Sequence, residues 1–191
     1  MTNTKYMNKP KLDITKYLPE INMIKDETIR RKTIEVWQKL WAESKYKEIS
    51  ELPVNSSSKY PHIIHNRSVI SMAISVAQNV SKFHKVKIDK DILISSAALQ
   101  DSSKLVETEP DGKGGIRKSK IGEMFQHGFY AAHVAIEVGL PQEIAENILE
   151  HTFDNAVYPK TLISKILFYV DQIDMAALNL DRWKKSGFVY R

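Results

Sequence analysis

Apolar residues recur along this chain at helical spacing. After a polar start through residue 11, Asp26-Glu-Thr-Ile29 reads as a helix start, with Ile29, Val36, Trp37 and Leu40 at helical positions. This first helix is expected to pack as an outer layer. Pro53 to Pro61, with Ser56 to Ser58 inside it, reads as a linker into a central region. There Val69, Met72, Val76 and Val80 mark one helix, Asp89 caps the next through Leu99, and His127 to Val138 makes a third. Pro141 opens a fourth after the stop at Gly139, and Leu162 to Leu178 closes the core as a fifth. No segment sustains period-two alternation. The pattern therefore predicts an all-α bundle with Pro110-Asp-Gly-Lys-Gly-Gly115 as its one long mobile loop.

Composition narrows the class. A chain of 191 residues, 42% hydrophobic and 27% charged, can bury one core but not two comfortable ones. A single domain over residues 59–182 is expected, preceded by an N-terminal extension and helix over 1–58 and followed by a tail over 183–191. No apolar run approaches bilayer-crossing length and Met1 to Tyr6 lacks the apolar stretch of a secretory signal, so no membrane association and a cytoplasmic location are expected. Cysteine is absent, which excludes disulfides, thiolate nucleophiles and sulfur-ligated metal. Imidazole and carboxylate remain as the strong ligands. The net charge of +5 suits anionic partners such as nucleotides. The basic residues are scattered and lack aromatic interleaving, which argues against nucleic acid as the main partner.

The stretch Ile94-Ser-Ser-Ala-Ala-Leu-Gln-Asp-Ser-Ser-Lys-Leu105 runs an apolar helix straight into Asp101 and Lys104. A carboxylate at the negative end of a helix is disfavoured, so a cation is expected nearby, and a metal is the natural candidate. Helical spacing turns His65 to the face of Val69, Met72 and Val76, and His127 to that of Ala131, Val134 and Val138. His151 follows Ile144 and Ile148, and Asp171 follows Ile163 and Leu167. A single inward histidine is more often a hydrogen-bonded core residue than a ligand. Three imidazoles and two carboxylates buried in so small a domain would be costly unless they shared a cation.

These residues resemble the HD-domain superfamily of metal-dependent phosphohydrolases, whose ligands run His, His-Asp, one or two further His, then Asp. The likeness covers about residues 60 to 180. Tyr60-Pro-His-Ile-Ile-His65-Asn-Arg-Ser-Val is similar to the family's first-histidine helix, Ala97-Ala-Leu-Gln-Asp101-Ser-Ser-Lys104-Leu to its signature, and Asp171-Gln-Ile-Asp174 to its closing aspartate. His127-Gly-Phe-Tyr-Ala-Ala and Ile148-Leu-Glu-His151-Thr are similar to the extra histidines of dinuclear members, including those that hydrolyse diadenosine polyphosphates. The resemblance implies an HD-type bundle with one or two divalent ions (Fe, Mn, Co, Zn or Mg). One ion would sit on Asp101, His127 and His151, and the other on His65, Asp101 and Asp171.

The signature histidine is Gln100 here, and an amide oxygen is a harder, weaker ligand than imidazole. The second ion would then bind less tightly or shift toward Mn²⁺ or Mg²⁺. The implied chemistry is attack of metal-activated water on a phosphoester or phosphoanhydride of a nucleotide or small phosphorylated metabolite. Asp101 would be indispensable and Lys104 would hold phosphate, with Arg67 and His62 as further substrate contacts. His62 is expected near the bundle edge, as a substrate contact or a plain surface histidine. Lys113, Arg117 and Lys118 read as solvated loop cations, and His84 and His133 as non-catalytic. A dinuclear-iron oxygenase of the same superfamily and a non-catalytic ligand-binding module remain alternatives.

Overall fold

The computed structural model of the chain describes residues 9–55, 60–152 and 158–178. The serine linker Ser56 to Ser58, both expected domain boundaries and the tail over 183–191 lie outside the described residues. Within them the chain is mostly helical: α1 Glu27–Glu43, α2 His62–His84, α3 Lys90–Leu99, α4 Lys104–Glu107, α5 Lys120–Met124, α6 Phe129–Glu137, α7 Gln142–Glu150 and α8 Leu162–Leu178. Short 3-10 turns at Ile14–Lys16, Pro19–Met23 and Ile49–Glu51 flank α1. None of the described helices is long and apolar enough to cross a membrane.

Helix α3 is the centre of the molecule. Every residue from Ile92 to Leu99 is buried, because α1, α2 and α7 all pack against it. An apolar stretch without a polar face has no stable place except between other helices. Its polar side chains are paired: Ser95 shares a 2.7 Å hydrogen bond with Thr33 of α1, and Asn147 of α7 donates to Ser96 at 3.1 Å. Trp37 of α1, fully buried, donates its indole N–H to the Ala98 carbonyl at 3.1 Å. The Asp89 side chain caps α3 by accepting from Asp91 and Ile92 N–H, and Asp26 caps α1 through Thr28 and Ile29 N–H. Asp91 accepts the backbone N–H groups of Lys25 and Asp26, both at 2.9 Å, which ties the start of α1 to the start of α3. Helix α8 closes the bundle against α2 and α7.

Two expectations need correction. Pro110 to Gly115 is a connection, but it is the turn of a hairpin whose strands the pattern did not predict: Thr108–Pro110 (β1) and Ile116–Lys118 (β2) pair antiparallel. The strands are three residues each, too short for period-two alternation to register. Asp111 shapes the turn by accepting Lys113 and Gly115 N–H at 2.7 and 2.9 Å. Helix α6 begins at Phe129, so His127 lies in the turn before it rather than on its inward face.

Candidate metal centre

Asp101 lies two residues past the end of α3 and is almost completely buried. Its two oxygens face different partners. Oδ1 lies 2.6 Å from His127 Nε2 and 3.5 Å from His151 Nε2. Oδ2 lies 3.2 Å from His65 Nε2 and 3.4 Å from His62 Nε2. His65 Nε2 is also 3.1 Å from Asp171 Oδ1. Two donor groups result, Asp101 with His127 and His151, and His65 with Asp101 and Asp171, each with its ligand atoms within 4.8 Å of one another. Either group could hold a metal ion, and Asp101 belongs to both.

Helices α2 and α8, the end of α7 and the turn before α6 bring these side chains in. α2 carries His62 and His65 on one face, α8 brings Asp171, and α7 ends with His151 at its cap. Gly128 allows the His127 turn to approach α7. Its φ is 78°, and a Cβ there would lie 3.2 Å from the Ile148 carbonyl oxygen and 3.5 Å from the His151 ring.

Each ligand-type imidazole is held from behind. His65 Nδ1 contacts Asp174 Oδ2 at 2.7 Å, His127 Nδ1 contacts Glu107 Oε2 at 2.7 Å, and His151 Nδ1 contacts the Ile148 carbonyl at 2.5 Å. Donation of Nδ1–H outward turns each Nε2 toward Asp101, the arrangement that fixes the tautomer of metal-binding histidines. Glu107 is itself fixed, accepting from Ser103 Oγ at 2.5 Å and from Gly128 N–H at 3.1 Å.

The electrostatics call for positive charge. Four buried carboxylates, Asp101, Glu107, Asp171 and Asp174, lie in this region, and Lys104 Nζ is 2.8 Å from Asp101 Oδ2 with Asp171 and Glu107 also acting on it. Burial by itself disfavours the Asp101 carboxylate, but Lys104, His127 and His151 outweigh it and hold its pKa well below the usual range. Burial likewise opposes charge on His65 and His127, and their carboxylate neighbours reverse it, raising His65 to about 11 and His127 to about 9. On His62 burial prevails and lowers the ring to about 4.

The donor set fits a divalent ion. His65 Nε2 is close to two carboxylates yet has hydrogen-bond geometry to neither, and both ring nitrogens of His62 and both amide atoms of Gln100 are buried without a hydrogen-bond partner. Buried unpaired polar groups cost about 1–3 kcal/mol each, so a cluster of them beside carboxylates marks a place where an ion or water belongs. Imidazole and carboxylate without sulfur suit Zn, Fe, Mn or Co.

Most expected site residues meet here: His65, Asp101, His127, His151, Asp171 and Lys104. The part-buried Lys104 also reaches the Val54 carbonyl at 3.4 Å, and it is the cation that answers the helix-end carboxylate. Gln100 is buried next to Asp101 in sequence, with its amide unpaired. Arg67 is directed elsewhere, 58% exposed and bound to Glu20 at 3.0 Å. Arg117 is bound to Glu109, and His84 and His133 are exposed. His62 departs from expectation: it is wholly buried at Asp101, because the start of α2 is covered and its backbone N–H is held by the Leu52 carbonyl at 2.9 Å. Sequence reasoning assigned no role to Glu107 or Asp174. Asp174 could have been found from its i+3 spacing after Asp171, whereas Glu107 carried no comparable signal.

Comparison of the chain with protein-family models, curated proteins and solved structures finds no match in any of the three.

Proposed function

We propose that this chain is a divergent HD-type metal-dependent phosphohydrolase acting on a phosphoester or phosphoanhydride of a nucleotide or small phosphorylated metabolite. The observation that carries this reading is Asp101, which turns one oxygen to His127 and His151 and the other to His65. A buried carboxylate shared between two imidazole groups is the arrangement expected of a bridging ligand. When bound, divalent ions would supply an acidified water and neutralise charge developing on phosphoryl oxygens.

The protein's own residues prepare that chemistry. Asp174, Glu107 and the Ile148 carbonyl hold the three rings so that binding requires little rearrangement. Lys104 donates to Asp101 Oδ2 and neutralises it. With an ion on that oxygen, the ammonium group, on a side chain 21% exposed, would be available to hold a phosphoryl oxygen. The His127 side chain is 17% exposed, so the site opens to solvent on its side.

The test is elemental analysis of protein purified without chelating tags and reconstituted with Mn²⁺, Fe²⁺, Co²⁺ or Zn²⁺, followed by a phosphatase and nucleotidase screen. Asp101→Ala is expected to lose metal and activity together, and Lys104→Ala to keep metal while losing turnover or substrate binding. No metal in wild type under any of these conditions would refute the reading. Bound metal without turnover of any phosphorylated compound would refute the hydrolase and leave a binding module.

A further inference from the structure

We infer that His62 is a metal donor, supplying the second imidazole to the ion held by His65, Asp101 and Asp171. This rests on the metal-centre reading above and assigns the imidazole that the chain lacks at Gln100. Donors bonded to one ion at about 2.0–2.2 Å, at angles of about 90–110°, lie about 3.0–3.5 Å from one another. Three pairs have that spacing: His65 Nε2 to Asp171 Oδ1 is 3.1 Å, His65 Nε2 to Asp101 Oδ2 is 3.2 Å, and His62 Nε2 to Asp101 Oδ2 is 3.4 Å, so His62 meets the group through Asp101 and its ring has to close on His65 and Asp171 when the ion binds. His62 and His65 sit one turn apart on α2, with ring centroids 6.2 Å apart and planes tilted by 44°, so two rings from one helix approach the same carboxylate oxygen.

A purely structural role does not account for this side chain. Core histidines are retained by hydrogen bonds, and His62 has 0% exposure with neither ring nitrogen hydrogen-bonded. Its position is nevertheless enforced. Pro61 precedes α2, pairs with Pro53 in an isolated antiparallel bridge, and the His62 N–H is bound to the Leu52 carbonyl. The chain therefore holds an unsatisfied imidazole against the shared carboxylate, beside a ligand group with only three donors. A fourth donor completes the set usual for a borderline metal.

Calorimetric titration of the full chain with Zn²⁺ and Co²⁺ tests this, with proton NMR of the Co²⁺ form as a second measurement. Wild type is expected to bind two ions and to show hyperfine-shifted resonances from four imidazoles. His62→Gln should retain the ion at Asp101, His127 and His151, bind the other about tenfold or more weakly, and lose one set of imidazole resonances. Unchanged affinity for both ions in His62→Gln, or only three shifted imidazoles in wild type with two ions bound, overturns the assignment while leaving the metal centre standing. Absence of any metal uptake by wild type would instead remove the metal centre itself, and this donor with it. Should His62→Gln fail to fold, the imidazole count in wild type decides.

Discussion

Glu107 is the group whose replacement most directly tests how the centre is built. Its carboxylate accepts from His127 Nδ1, Ser103 Oγ and Gly128 N–H, so one side chain joins a ligand ring, α4 and the turn that carries the ring. Burial disfavours its charge, yet these donors hold its pKa below the usual carboxylate value, which makes it a net stabiliser of the turn. Glu107→Ala would leave three donors without their acceptor. At about 1 kcal/mol for each lost bond the metal-free protein should be destabilised by about 3 kcal/mol, or about 6–12 °C in Tm for a chain of this size. Glu107→Gln keeps the shape but weakens the anchor behind His127, and outer ligands of this kind change metal affinity about 10- to 100-fold, or about 1.4–2.7 kcal/mol. Thermal melts of metal-free protein and competition titration with Zn²⁺ separate the two effects. If Glu107→Gln binds Zn²⁺ within twofold of wild type at both sites, Glu107 does not orient a ligand, and the arrangement around His127 is structural only.

Metal uptake should release protons, because His65 and His127, raised to about 11 and about 9, are protonated at neutral pH and bind metal only as neutral rings. Affinity should therefore rise with pH through about 9 and on towards about 11, and titration in buffers of different ionisation enthalpy should show the release; none detected would contradict it. The same shift stabilises the metal-free fold below the ordinary histidine value of 6.5 and is lost as pH rises through about 9, so metal-free Tm should fall over that window. A Tm that rises from pH 6.5 to 9 would show that His127 is not held in its charged form. Gly128→Ala should cost about 1–3 kcal/mol, since a side chain at a φ of 78° is strained and would press on the Ile148 carbonyl and the His151 ring. Urea melts measure this, and an unchanged midpoint would mean the turn relaxes freely.

The local instructions were legible in the chain itself. Asp26 and Asp89 cap the helices they were expected to cap, the periodic apolar positions mark α1, α2, α7 and α8, and the absence of cysteine restricts ligands to nitrogen and oxygen. Inward spacing also singled out His65, His151 and Asp171, because a helix turns every third or fourth residue to one side whatever it packs against. Periodicity says nothing about turns or very short strands, and there the structure departs from expectation: His127 reaches Asp101 from a glycine turn, and the residues flanking the expected 110–115 loop pair as a hairpin. Nor could it place His62 at the centre, since its ring is buried beside Asp101 only once the start of α2 meets the end of α3. The pairing of Asp174 with His65 across 109 positions and of Glu107 with His127 across 20 likewise required the packed bundle. Helix faces, and the Lys104–Asp101 pair three residues apart, are set by backbone geometry within a few residues, whereas the partners of the two Asp101 oxygens and the carboxylates behind its histidines are set by which helices meet. That choice belongs to the tertiary structure alone.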